Sequence, residues 1–185
     1  MNTSEPSQLA NKQLPEAVDS QRLLVPVDFS VGTLETLCYA RALSEKSGGV
    51  VDVLHVVPYN LGRNEEAMPL GLLHTMANGA RQELQRLVGI LRKNDTATAY
   101  SVRVREGRAH EVILREASAT NATLIIMGIR HRSWLSTLFR RHTVKHVLQN
   151  APCPVLVLRA GQTQAKATKA TNFKMPGFMR SVATG

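Results

Sequence analysis

Short apolar runs alternate along this chain with longer stretches that have helical spacing. The runs are rich in Val, Ile and Leu, and most are bounded by turn residues, which predicts buried strands. Between them, apolar residues recur at i, i+3, i+4 and i+7, most clearly from Leu73 to Leu91, and this spacing predicts helices. Strands that alternate with helices form a parallel sheet covered on both faces, because each crossover is right-handed. The predicted strands are 23–28, 50–57, 98–104, 123–128 and 154–158.

Two segments of different composition flank this pattern. Residues 1–21 are polar, without an apolar signal core, and predict a disordered lead-in, whereas residues 161–185 predict a flexible basic tail. We therefore expect one folded domain over residues 22–160. No stretch approaches the roughly 18 apolar residues of a membrane span. The two cysteines, Cys38 and Cys153, lie in apolar runs, which indicates buried thiols and a cytoplasmic location.

The charge of the chain is unevenly distributed. The net charge is +9, yet all 14 acidic residues precede residue 117, so the remainder is basic throughout. A basic half attracts anions such as nucleotide phosphates, nucleic acids or acidic membrane surfaces. The loop after the fourth strand contains one tryptophan, Trp134, and no row of aromatic rings, so we do not expect nucleic-acid recognition. Its mixture of apolar and basic residues, repeated in the tail, could dock a protein partner or a membrane surface. Alternatively, Leu138 and Phe139 begin the next helix and pack inward.

Two loops follow strands at the edge of the sheet where ligands bind, beyond the carboxyl ends of the strands. Asp28 ends the first strand, and its carboxylate could bind a ribose hydroxyl or magnesium, or could cap the next helix, for which Ser30 is the predicted N-cap. Gly128 ends the fourth strand. Farther on, His142 and His146 are spaced i, i+4, but the sequence shows no third ligand and no H-E-x-x-H motif, so we expect no metal site.

Five motifs stand out along the chain: LLVPVDFS at 23–30, VLHVV at 53–57, the turn at Gly107, LIIMG at 124–128 and, most specific, VLQNAPCPVLVLR at 147–159. Together they resemble the universal stress protein domain over about residues 22–160. The resemblance implies a five-stranded parallel α/β sheet of order 3-2-1-4-5 with helices on both faces, as in adenine-nucleotide alpha-hydrolase-like folds. It also implies homodimers, for which we expect the last strand, Pro154–Leu158, to supply the interface, and in one subgroup bound ATP.

The ATP-binding subgroup carries a loop of the form G-x2-G-x9-G-[ST] after the fourth strand, whose peptide N–H groups cradle the phosphates. On this chain the first glycine matches Gly128, but the second falls on His131, the third on Arg141 and the Ser/Thr on His142. The resemblance places Asp28 and Val51 on the nucleoside side of such a site. Because a β-carbon at 131 or 141 obstructs the close approach of a phosphate, we predict a degenerate nucleotide site.

Two functions follow from this pattern. The first is a non-enzymatic regulatory or interaction module with no bound cofactor, since the sequence has no Walker A motif and no nucleophile elbow. The second is an ATP- or AMP-binding stress sensor whose loop side chains replace the missing peptide contacts by charge-assisted hydrogen bonds to phosphate. The loop residues of this alternative are Arg130, His131, Arg141 and His142.

Overall fold

The computed structural model describes residues 21–30, 32–58, 69–93, 97–129 and 141–159, with the backbone alone at Arg141. The strands are β1 (Arg22–Val27), β2 (Val50–Val57), β3 (Ala99–Glu106), β4 (Leu124–Ile129) and β5 (Val155–Arg159). The helices are α1 (Thr33–Ser47), α2 (Leu70–Arg92), α3 (Ala109–Ala119) and α4 (Arg141–Asn150). All pairings are parallel and the strand order is β3-β2-β1-β4-β5. The predicted architecture and order are therefore confirmed.

Most element boundaries lie within a few residues of those that the sequence pattern predicts, but the start of α1 differs. Gly32 precedes the first helical residue, and no side chain caps the helix. Ser30 belongs to the turn before it, where its carbonyl accepts the Thr33 N–H at 3.0 Å. The prediction of Ser30 as N-cap was wrong, because the turn after Asp28 delays the helix by two residues. The predicted lead-in and tail lie outside the described residues, apart from Gln21.

The core has two layers because side chains alternate along each strand. Odd-numbered residues of β1 and β2, such as Val25 and Val53, pack against α1 and α2, whereas even-numbered ones, such as Leu24 and Leu54, pack against α3 and α4. Pro26 lies within β1 opposite Leu54, without a bulge. The pairing of β1 with β4 covers only the residues before Pro26, so the lost N–H donor falls on that side.

A charged layer takes the place of an apolar one where α3 covers β2 and β3. Asp52 is completely buried, and its two oxygens lie 3.5 Å from Arg22 Nε and 3.5 Å from Arg103 Nε. Glu116 of α3 continues the network through Arg103 at 3.6 Å and Arg105 at 2.7 Å. A buried carboxylate without a cation costs several kcal/mol, so these arginines are what allows an acid inside β2.

The two thiols are less buried than the sequence pattern suggested. Cys38 is exposed on α1 and Cys153 is half-buried before β5, which corrects the expectation of two core thiols. Partial burial raises the pKa of both groups, with Arg41 partly offsetting the effect at Cys38. Both therefore stay protonated at neutral pH. Within the described part of the chain, no helix combines the length and apolarity that a membrane span requires.

Candidate functional site

A narrow cleft opens at the carboxyl edge of the sheet, between the ends of β1 and β4 and the start of α1. It has a volume of about 10 Å³, which is room for about one water molecule. This is the position where open parallel sheets bind ligands, since the strand order reverses between β1 and β4. The residues that line it are Pro26, Val27, Asp28, Ser30, Gly32, Thr33, Thr36 and Gly128.

Asp28 holds the turn that joins β1 to α1. Its Oδ1 accepts the backbone N–H of Ser30 at 3.0 Å, and the Thr33 hydroxyl donates to the same oxygen at 3.5 Å. This is the local hydrogen bonding by which aspartate stabilises turns. The carboxylate therefore stabilises the turn before α1 and does not cap the helix.

Gly128 lies where α1 packs closely on β4. A β-carbon at this position would lie within 3.0 Å of Thr36 Oγ1, a distance that real side chains do not tolerate, and would also press on the Thr36 Cβ. Thr36 is buried, and its hydroxyl donates to the Gly32 carbonyl at 2.9 Å. The glycine is therefore explained by helix packing: its open face is occupied by Thr36 of the chain itself.

Phe29, which follows Asp28, has a left-handed backbone with a φ of 56°, unusual for a bulky residue. Its buried ring lies 4.4 Å from the ring of His55 on β2. His55 Nδ1 donates in turn to the Val27 carbonyl at 2.9 Å. Burial lowers the pKa of His55 to about 4, although the bond to Val27 and the charge of Asp28 oppose this. A neutral imidazole thus ties β2 to the loop beneath the cleft.

Val51 is not brought to the cleft. It lies near the beginning of β2, fully buried, opposite Leu23 of β1 and Tyr100 of β3. The end of β1 is instead opposite His55, four residues farther along β2, which is about 13 Å of strand. The residues of β2 that follow His55, and so lie nearest Asp28, are Val56 and Val57. The predicted pairing of Val51 with Asp28 on a nucleoside is therefore corrected by the register.

The predicted phosphate side of the site is only partly described. Arg130 and His131 lie outside the described residues, and for Arg141 only the backbone at the start of α4 is described. His142 is exposed in the first turn of α4 and does not line the cleft.

His142 lies instead in a histidine cluster that sequence reasoning missed. Ring centroids are 5.7 Å apart for His142 and His146, 5.9 Å for His142 and His110, and 4.5 Å for His110 and His146. Burial and the neighbouring His146 lower the pKa of His110, and Glu111 partly opposes this. His110 belongs to α3, so only the packing of α3 against α4 reveals the group.

Comparison with known proteins agrees with this geometry. The model of the universal stress protein family matches residues 20–159. The chain belongs to the universal stress protein family. A curated universal stress protein from Thermus aquaticus is 31% identical over 142 residues, covering 74% of this chain and 97% of the relative.

Solved universal stress proteins share the fold. UspA from Lactobacillus plantarum superimposes with a TM-score of 0.61 at 21% identity, covering 75% of this chain and 97% of that protein. The universal stress protein from Archaeoglobus fulgidus, in complex with dAMP, gives a TM-score of 0.51 at 22% identity, covering 74% of this chain and 96% of that protein. At 21–22% identity this similarity shows a shared fold. It does not show that the proteins share a ligand.

The contact between Gly128 and Thr36 predicts a specific rescue. We expect Gly128→Ala to lower the free energy of unfolding by about 1–3 kcal/mol, the usual cost of overpacking a core. Thr36→Ala removes the obstructing hydroxyl, so the double variant should be more stable than the sum of the two single effects. Urea denaturation of the four proteins measures the coupling.

Gly89→Ala is the matched control for these four proteins, because a β-carbon at position 89 meets nothing within 4 Å. Alanine within a helix is more favourable than glycine by about 1 kcal/mol, so this variant should be neutral or more stable. Strict additivity of Gly128→Ala and Thr36→Ala would show that the two residues do not compete for the same space.

The burial of His55 predicts a dependence of stability on pH. Its pKa in the folded protein is about 4, below the ordinary value of 6.5, so the unfolded chain binds the proton first as the pH falls. The contribution of His55 to the free energy of unfolding is complete above pH 6.5 and is lost as the pH falls from 6.5 to 4. Between pH 7.5 and 5 we expect a loss of about 2 kcal/mol, measured by urea denaturation at each pH.

His55→Gln should remove most of that dependence, whereas His110→Gln should preserve the larger part of it. An unchanged pH dependence in His55→Gln would mean that His55 is not the buried neutral base described above.

Proposed function

We propose that this universal stress protein domain works as a non-enzymatic, cytoplasmic regulatory module that does not hold ATP in the cleft between β1 and β4. The observation that carries the proposal is the position of Thr36, which fills the space that Gly128 would otherwise offer to a ligand. A glycine lets a phosphate approach the peptide N–H groups closely, because it has no β-carbon. In this protein that opening is used by α1.

The size and bonding of the cleft support the same view. Small-molecule sites usually enclose about 300–1,000 Å³, whereas the described cleft encloses about 10 Å³. Asp28, which could face a ribose, already accepts two hydrogen bonds from the turn. A nucleotide would have to displace α1 from β4 and compete for the Asp28 oxygen.

The ionisable groups near the cleft do not form an acid–base pair. Asp28 is the one ionisable side chain among the described residues that line it. His55 is buried behind Phe29 and engaged with the Val27 carbonyl, which removes it from contact with a substrate. General acid–base catalysis requires groups within hydrogen-bond reach of the reacting atoms. These features favour a module that acts through partners rather than through chemistry.

A nucleotide sensor is the second candidate function. The family member from Archaeoglobus fulgidus, whose fold this chain shares, was solved in complex with dAMP. In a sensor of this kind, Asp28 and Gly128 would face the nucleoside, and basic side chains would bind the phosphates in place of glycine N–H groups. Those side chains would be Arg130, His131, Arg141 and His142.

Calorimetric titration with ATP separates the two candidates. We expect no binding tighter than a Kd of about 1 mM, because the cleft has neither the room nor the open backbone that a triphosphate needs. Arg141→Glu should then change nothing. Arg81→Glu, an equal change of charge on an exposed position of α2, is the matched control.

A Kd in the micromolar range for the unmodified chain would overturn the proposal. If Arg141→Glu then abolished the affinity while Arg81→Glu kept it, the sensor with a basic side-chain loop would be the function.

We further propose that β5 pairs with β5 of a second copy. It is the last strand in the order, and Val155–Leu158 are apolar and only half-buried. Ile125 donates its N–H to the Pro154 carbonyl at 3.0 Å, so the peptide groups of residues 154, 156 and 158 face β4. Those of Val155 and Val157 therefore point away from the sheet, where a second strand would bind. An apolar edge of this kind is otherwise prone to aggregation.

Val157→Pro tests this interface, because it removes an N–H on the outer side and leaves the ladder with β4 intact. In sedimentation at micromolar concentration, we expect a dimer for the unmodified chain and for Val157→Thr. Val157→Pro should be a folded monomer by circular dichroism. A monomeric unmodified chain, or a dimeric Val157→Pro variant, would exclude pairing through β5.

A further inference from the structure

Three imidazoles from two helices meet near the carboxyl edge of the sheet, outside the cleft. His142 and His146 lie one turn apart on α4, and His110 lies in the first turn of α3. The spacing along α4 alone offers two ligands, which is why the sequence predicts no metal site. The packing of α3 against α4 supplies a third.

The separations of the rings match those of histidines that share an ion. Zinc–nitrogen bonds of about 2.0–2.1 Å place ring centroids about 4.5–5.3 Å apart for angles between octahedral and tetrahedral. The three observed separations run from 4.5 to 5.9 Å. The rings are therefore already within about 1 Å of the spacing that a shared ion would impose.

The orientation of the rings is what differs from a bound site. As the side chains stand, no three His, Cys, Asp or Glu residues in the described part of the chain are arranged to hold a metal ion, and the ring planes of the cluster are inclined at 36°, 36° and 68°. His142 is exposed, and the His110 side chain retains 20% of its exposure, so both have space to rotate. Turning a partly exposed ring about its terminal torsion costs little, because that torsion is broad.

We propose that His110, His142 and His146 form a binding site for a divalent transition-metal ion of the zinc, nickel or copper class. Neutral imidazole suits these ions, whereas magnesium and calcium require several oxygen ligands that the cluster lacks. The ion would join the first turn of α3 to the first two turns of α4. This inference is independent of whether the cleft binds a nucleotide.

Two neighbouring side chains, Glu111 and Asn150, lie close enough to support such a site. Glu111 Oε1 lies 3.9 Å from His110 Nε2, where it can serve as a fourth ligand and offset the positive ends of the two helices. Its present partner is Arg108, at 3.4 Å on the surface, which is a weak competitor. On α4, the Asn150 amide nitrogen lies 3.2 Å from His146 Nδ1. The same amide nitrogen donates to the His146 carbonyl at 2.8 Å, so Asn150 helps to position His146 on α4.

Titration of the full, untagged chain with Zn²⁺ tests the site, with the Cys38→Ser/Cys153→Ser form used throughout to remove thiol ligands. We expect one ion per chain with a Kd of about 1 μM or tighter. His110→Gln, His142→Gln and His146→Gln should each weaken the affinity at least about tenfold. Zn²⁺ should also raise the Tm, because the ion binds only the folded arrangement of α3 and α4.

His74→Gln is the matched control. His74 is an exposed helical histidine on α2 whose Nδ1 also lies 3.2 Å from an asparagine amide four residues on, that of Asn78. The affinity of the His74→Gln variant for Zn²⁺ should equal that of the parent. The absorption of tetrahedral Co²⁺ should likewise be retained in His74→Gln and weakened in the three cluster variants. Affinity that survives His110→Gln, or a parent that binds no more tightly than about 1 mM, would overturn the site.

Discussion

Thr36 of α1 and Gly128 of β4 pack directly against each other at the carboxyl edge of this sheet, and the proposed function depends on this contact. The helix begins so close to the strand that the hydroxyl of Thr36 occupies the space of a β-carbon at position 128. The same hydroxyl donates a hydrogen bond to the Gly32 carbonyl, so moving it out of this space would cost that hydrogen bond. In the function proposed above, this contact keeps a ligand out of the edge at which such sheets bind ligands.

The loop before α1 maintains that closure. The Asp28 carboxylate holds the turn through Ser30, and Phe29 adopts a left-handed backbone so that its ring can enter the core. There it packs on His55, whose Nδ1–H bonds the Val27 carbonyl. The polar groups of Asp28 and His55 thus find hydrogen-bond partners within the chain. Burial of the Phe29 ring offsets the strain of its left-handed backbone. Asp28, Phe29 and His55 therefore all take part in contacts within the chain.

The sheet and its helices were predictable because their signals are local. The strand at Val50–Val57 is a continuous apolar run, and the helix around Leu84 follows a 3.6-residue period, so both could be located from spacing alone. Register and packing between elements are not local, and there the sequence was insufficient. Val51 was placed beside Asp28, yet the pairing of Leu23 with Val51 puts it at the opposite end of the strand.

The same limit explains what was missed at the site. The meaning of Gly128 depends on Thr36, which is distant in sequence and adjacent only once α1 packs on β4. The histidine cluster likewise requires α3 and α4 to meet, and a search for ligands along α4 finds only two of its three members. A buried histidine in an apolar strand, as in VLHVV, was a signal that could have been used, because such a group needs a hydrogen-bond partner.

The most direct test of a closed edge is mass spectrometry of the small molecules released when protein purified from cells under native conditions is denatured. If Thr36 and the Asp28 turn fill the cleft, the released fraction should contain far less than one equivalent of adenine nucleotide per chain. Release of an adenine nucleotide near one equivalent per chain would contradict the account, because it would show that the edge between β1 and β4 opens to a ligand in the cell.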